Sequence, residues 1–190
     1  MNDRWAEFEA ELRSADSDRV NDVIDEIGDM DLDDRFAFLA ANFEAMTDLY
    51  ADRDDGYVRQ SVVRVADRLV PGLAVVVAVD NDDRPFDASI DEIRARTDDL
   101  CGFLLEALTD DDGRVRQSAK RGFRDVVRTY EALEDEQTIE ALIGELEAMA
   151  EQSSGTQREH LLETRDDAAF HRQSGLGRIL ERFQAEFEEG

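Results

Sequence analysis

The stretch DGRVRQSAKRGFRDVV, Asp112 to Val127, restates an earlier one, DGYVRQSVVRVADRLV, Asp55 to Val70. In register, 57 residues apart, the two share Asp, Gly, Val, Arg, Gln, Ser, a later Arg and the closing Val. In each, an aspartate precedes a run whose apolar residues recur every three or four positions. An aspartate in that place accepts from the free N–H groups of a first helical turn and faces the positive end of the helix dipole. Each copy is therefore expected to open a helix. The likeness extends upstream, where FLAANFEAMTDLYADRDDG leads into the first copy and LCGFLLEALTDDDG into the second. Each copy reads as helix, short acidic turn, helix. One such hairpin cannot cover its own apolar face, so repetition implies stacking on a neighbour.

The helical period runs through most of the chain. Val20, Val23, Ile24 and Ile27 follow it, as do Ile90, Ile93, Thr97, Leu100, Leu104 and Leu108. Ile139, Leu142, Ile143, Leu146 and Met149 repeat it, with Asp135 or Glu136 as the opening residue and the Gly/Ser patch EQSSGTQ (151–157) as the loop that follows. Leu176, Ile179, Leu180, Phe183 and Phe187 line a last face. Each stripe needs a neighbour to cover it. One segment resists: VPGLAVVVAV (70–79) is rich in β-branched residues and favours a strand by propensity. With no second strand evident, its ladder groups would stay unpaired. It is read as a short buried helix begun at Pro71, with a polar loop from Asp80 to Ser89. The fold class expected is all-α.

Length and composition allow a real core. The 190 residues are 42% hydrophobic, which suits one domain and argues against disorder of the whole. Acidic residues number 48 against 22 basic, for a net charge of −26. Lys120 is the single lysine. Acid-rich, lysine-poor chains of this kind resemble proteins of salt-loving archaea. At about 1 M salt the Debye length is roughly 3 Å, so dense carboxylates repel one another little. Net acidity then says little about partners. Cys101 stands alone, so no internal disulfide framework is possible. The N-terminus is acidic and broken by charge, unlike a signal peptide. The longest apolar run, Leu73–Val79, is far short of a membrane span. A cytoplasmic protein with no membrane partner is expected.

The residues LLEALTDDDGRVRQSAKRGFRDVV, Leu104 to Val127, resemble a HEAT repeat. That family joins a leucine-rich first helix through an acidic turn to a second helix that begins with Val-Arg and a small residue. Val115, Arg116 and Ala119 fit, and Val58 and Arg59 fit in the first copy. The resemblance implies an α-α superhelix of HEAT-like helical hairpins over 1–190, clearest at 36–70 and 97–130, with 131–190 as a helical cap. Residues 3 to 28 are compatible with a further, degenerate hairpin. In the family the turn aspartate and the arginine tie adjacent units together, and Asp110 stands six residues before Arg116 as that pattern asks. The first copy departs, with Arg53 in the equivalent place between Asp52 and Asp54. The repeat length departs too, since the family runs to about 40–47 residues. The Leu73–Asp87 insertion accounts for the excess.

The most informative local feature is basic. Arg114, Arg116, Lys120, Arg121, Arg124 and Arg128 lie between Gly113 and Tyr130 against Asp125 alone. Arg116, Lys120, Arg124 and Arg128 recur every four residues and form one ridge on a helix. The first copy keeps Arg59, Arg64 and Arg68 but carries Val63 and Asp67 where the second has Lys120 and Arg124. In the family the second helices line a concave surface that grips other proteins. The resemblance thus implies a non-enzymatic scaffold that meets an acidic protein partner through Arg59, Arg64, Arg116, Lys120, Arg121, Arg124 and Arg128. The competing expectation is internal, in which these cations neutralise carboxylates on adjacent helices and Arg116 is structural. A purely structural subunit of an assembly is a further alternative.

Other chemistries find less support. Some HEAT-like proteins are DNA-repair glycosylases, which makes a nucleic-acid-binding enzyme the alternative from another class. Only one helix here is basic, and no Trp or Tyr cluster accompanies it apart from Tyr130, so nucleic acid is not expected as a partner. His160 and His171 lie about three turns apart on a C-terminal helix, roughly 16 Å, too far to share a metal. They are expected on the surface. DRDDGYVRQSVV has no acid at its twelfth position and fails as a calcium loop. No catalytic residue, metal site or cofactor is expected. The aromatic residues are expected in the core. The stripe Leu176–Phe187 either packs on the preceding helix or serves as a homodimer surface.

Overall fold

The computed structural model describes residues 3–188 apart from 53, 71 and 79–87, with side chains from Arg4 through Arg172. Nine α-helices and no strand lie among the described residues. They are α1 (Asp3–Arg13), α2 (Ser17–Asp29), α3 (Leu32–Ala51), α4 (Gly56–Leu69), α5 (Leu73–Ala78), α6 (Ile90–Ala107), α7 (Gly113–Ala132), α8 (Glu136–Glu151) and α9 (Gly155–Glu188).

Local chemistry sets the helix starts. Asp55 accepts from the Tyr57 N–H, and Asp112 from the Arg114 N–H. Asp16 caps α2 and Asp135 caps α8 in the same way. Ser89 and Glu92 form a reciprocal capping box at α6. At the end of α7 the chain turns through Glu134 at φ 55°. There the Asp135 N–H reaches the Tyr130 carbonyl, and the Glu134 N–H reaches the Glu131 carbonyl.

Four antiparallel hairpins result. Arg4–Glu26 and Arg19–Glu11 bridge α1 and α2, so residues 3 to 28 do form a hairpin. Arg35 reaches the Arg68 carbonyl across α3 and α4. Tyr130 donates to Asp98 across α6 and α7. Arg165–Glu147 and Arg172–Glu140 bridge α8 and α9. The second helices then pack side by side: α4 on α2, α7 on α4, and α9 on α7. One continuous core runs from Trp5, Phe8 and Leu12 through Val62, Leu104 and Phe123 to Leu146, Leu161 and Ala168. The expected stripe of α2, Val20, Val23, Ile24 and Ile27, is wholly buried.

The β-branched segment is helical, as expected, from Leu73 to Ala78. It is buried on one side only. Leu73 and Val76 join Ala88, Ile93, Leu32 and Phe36 in a small separate cluster, while Val75 is exposed. α5 also lies against α7, extending the α4 layer alongside the longer helix. Pro71 and the loop 80–87 lie outside the described residues. So do the side chains of Leu176–Phe187, although the backbone of α9 continues through them. Among the described residues the aromatics are buried or half-buried except Phe170, which is exposed on α9.

Candidate functional site

The second helices α4 and α7 run parallel, which brings the paired arginines of the repeat against the next hairpin's turn. Arg59 donates to Asp110 from Nε to Oδ2 at 2.7 Å and from Nη2 to Oδ1 at 2.9 Å. Its Nη2 also meets Asp111, and Tyr50 Oη donates to Asp110 at 2.7 Å. Burial works against the charge on Asp110, but the hydrogen bonds from Arg59, Tyr50 and the Asp112 N–H outweigh it. The carboxyl is held well below the usual range. Burial, then Asp110, push the Tyr50 hydroxyl up.

Arg116, the same residue one repeat later, meets no aspartate side chain among the described residues. Its Nη1 donates to the carbonyls of Asp110 and Asp111 at 2.6 and 3.0 Å. Nη2 donates to Thr156 Oγ1 at 3.1 Å, and Nε lies 3.4 Å from His160 Nδ1. The sequence pattern pairs Asp110 with Arg116. The Asp110 side chain instead binds the previous repeat's Arg59, and Arg116 takes only the Asp110 backbone. Arg116 is buried and joins the α6–α7 turn to α9.

The rest of the ridge faces α9. Lys120 Nζ lies 2.6 Å from Glu163, and Arg124 Nη2 lies 3.0 Å from Asp167. Arg128 pairs within α7 with Asp125 at 2.9 Å. The α9 partners recur at the ridge's own spacing because the two helices are parallel. The side chains of Glu163 and Arg124 remain 57% and 46% exposed. Exposed pairs of this kind contribute about 0–1 kcal/mol.

Arg64 and Arg121 point to a different place. With Ile24, Asp67 and Arg68 they line an open cleft of about 370 Å³, with α4 as its floor and residues of α2 and α7 on either side. Arg64 Nη2 donates to the neutral Asn21 Oδ1 at 2.9 Å. Arg121 donates to Ser118 at 3.2 Å and sits in a loose ion pair with Asp67 at 3.7 Å. Arg68 is exposed, its stem lies over Gly28, and its guanidinium has no hydrogen-bond or ion-pair partner among the described residues. Burial raises the Asp67 carboxyl above its ordinary range, against the pull of Arg121. Arg68 and Asp67 complete the cleft without being singled out by the ridge pattern. Their signal in sequence is the Arg64–Arg68 spacing of four, which puts both on the α4 face that Arg121 adjoins.

The remaining reactive side chains are accounted for by packing. His160 and His171 are half-buried in the α7–α9 seam rather than on an open surface, His171 lying 3.4 Å from Glu131. Cys101 is buried, and burial pushes its thiol up to about 12, which keeps it protonated and unreactive. Among the described residues no group of three or more His, Cys, Asp or Glu side chains is placed to hold a metal ion, and no helix is long and apolar enough to cross a membrane. The chain has no match among protein-family models, curated proteins or solved structures.

Proposed function

We propose that this chain is a non-enzymatic binding scaffold, a HEAT-like superhelix that presents the face of α4 and α7 to an acidic protein partner. The observation that carries the reading is the α4–α7 cleft. Among the described residues it gathers Arg64, Arg68 and Arg121 against Asp67 alone, in a chain of net charge −26. A concentrated positive spot on an otherwise negative molecule attracts acidic groups, while the rest of the surface repels them. The ridge next to it adds capacity. Lys120 and Arg124 are held only by half-exposed pairs, so a partner's carboxylates exchange for Glu163 and Asp167 at little loss. The composition supports a salt-rich setting, in which only direct contacts survive screening.

The test is affinity capture at molar salt with the wild-type chain, Arg64→Glu/Arg121→Glu, and Lys120→Glu/Arg124→Glu, each checked for helicity and thermal midpoint. A partner retained by the wild type and lost from a folded Arg64→Glu/Arg121→Glu variant supports the scaffold. Equal retention by all three removes it. The second reading is a purely structural subunit, and the pairing of Lys120 with Glu163 and Arg124 with Asp167 favours it. Under that reading the ridge reversal lowers the melting temperature and leaves association through other faces intact.

A further inference from the structure

The cleft has chemistry more specific than a positive patch. Its three guanidiniums are unequal. Arg64 is steadied by a neutral amide, Arg121 is shared with Asp67, and Arg68 has no hydrogen-bond or ion-pair partner among the described residues. Behind Arg68 stands a fourth, Arg35 on α3, whose Nη1 donates to the Arg68 carbonyl at 3.3 Å. Arg35 Nε is buried without a hydrogen-bond partner among the described residues. Burial, and then the neighbouring Arg68 charge, lower the Arg35 pKa. Asp31 pulls Arg35 the other way and Asp67 lies in the field of Arg68, but among the described residues neither carboxylate is within ion-pair distance of these two guanidiniums, so an added anion beside Arg68 is stabilising.

Guanidinium groups are planar forks, which match the paired oxygens of a carboxylate or phosphoryl group better than a point charge does. About 370 Å³ is the room of roughly a dozen water molecules. That volume admits acidic side chains and excludes nothing by tightness. Among the described residues the single apolar lining residue is Ile24, and none of those lining the cleft is an aromatic that could stack a base. The surroundings therefore favour a protein's acidic side chains over a nucleic acid.

We infer that the cleft of Arg64, Arg68 and Arg121 is an oxyanion site that seats an acidic side chain of a partner protein, with Arg68 as the anchor and Asp67 as an internal competitor. This rests on the scaffold reading and names its contact point. Asp67 holds Arg121 loosely, at 3.7 Å. An entering oxyanion takes Arg68 first and then draws Arg121 away from Asp67. Asp67 thus opposes binding, and removing its charge strengthens it.

The experiment titrates the full-length chain with a fluorescein-labelled octa-aspartate peptide, its octa-asparagine counterpart and inorganic phosphate, at fixed salt. The variants are Arg68→Met, Arg121→Met and Asp67→Asn, with Arg158→Met as a control arginine on α9. All are checked for unchanged helicity and melting temperature. The expected result is binding of octa-aspartate but not octa-asparagine, weakened about tenfold or more by Arg68→Met. Arg121→Met weakens it too, Asp67→Asn tightens it about threefold or more, and Arg158→Met leaves it unchanged. Phosphate that competes with the peptide assigns the site to oxyanions in general; peptide binding that phosphate leaves untouched assigns it to carboxylates. No binding of either probe to the wild type overturns the site, as does binding indifferent to Arg68→Met or weakened by Asp67→Asn. Failure here, with partner capture still dependent on Arg64 and Arg121, removes the oxyanion site and keeps the scaffold. Capture that fails while the titration succeeds does the reverse.

Discussion

Arg59 on α4 grips Asp110 in the next hairpin's turn through two parallel hydrogen bonds of 2.7 and 2.9 Å, with side chains only 14% and 4% exposed. Removing one member of a buried pair strands the other. Asp110→Asn should therefore lower the unfolding free energy by about 3 kcal/mol. Replacing both residues, as in Arg59→Met/Asp110→Leu, should recover part of that loss. The pH dependence has a definite sign. The folded pKa of Asp110 is depressed, so its contribution is complete above the ordinary carboxylate value of about 4 and is lost as pH falls further. Denaturant midpoints of the wild type and Asp110→Asn should differ by a constant amount from pH 7 to 5 and converge below 4.

The duplicated sentence made the hairpins legible because capping and periodicity act locally. Asp55 and Asp112 cap where the pattern puts them, and the stripes of α2, α6 and α8 lie inward. The pairing of the ridge was not legible. The repetition of Arg116, Lys120 and Arg124 every four residues marks one face. Whether solvent or Glu163 and Asp167 meets that face depends on where α9 docks, and that is a long-range matter. The cleft was half legible: Arg64 and Arg121 stood out as basic, while the role of Asp67 depends on a cross-helix approach that no local spacing encodes. Gly56 shows the same limit. A Cβ there would fall 2.1 Å from Asp112 Oδ2, so the glycine of the first copy makes room for the cap of the second.

Glycines on α7 and α8 should respond in opposite directions. A Cβ on Gly122 would lie 3.2 Å from Leu104 and 3.4 Å from the Asp67 backbone, where α7 meets both α6 and α4. Gly122→Val has no space to enter and should cost about 1–3 kcal/mol. Gly144, exposed within α8, has nothing within 4 Å of such a Cβ. Gly144→Ala should stabilise by about 0.5–1 kcal/mol through helix propensity and a less flexible unfolded chain. Thermal or urea unfolding of the two single variants checks both signs.

The α7–α9 ion pairs predict a charge-swap result. Lys120→Glu sets like charges against Glu163 and should lower stability by less than about 1 kcal/mol, since Glu163 is more than half exposed. The double swap Lys120→Glu/Glu163→Lys restores the attraction and should return stability to the wild-type value. A double-mutant cycle by urea unfolding measures the coupling. A coupling of zero would mean that the contact contributes nothing to holding α9 on α7.

His171 offers a pH test of the same seam. It is half-buried, and it faces Arg124, Arg128, Asp125 and Glu131 of α7 and Asp167 of α9. Burial, then Arg128 and Arg124, hold its pKa below the ordinary value, while Asp167 and Asp125 pull the other way. Because the folded pKa is depressed, the unfolded chain takes the proton more readily. Stability is then unaffected well above pH about 6.5, declines as pH falls from there through the folded value, and carries the full penalty below it. His171→Gln removes that decline. Urea midpoints measured from pH 8 to 5 should show the variant gaining on the wild type as pH falls. A wild type that gains instead would show that the 3.4 Å contact with Glu131 outweighs burial and the two arginines.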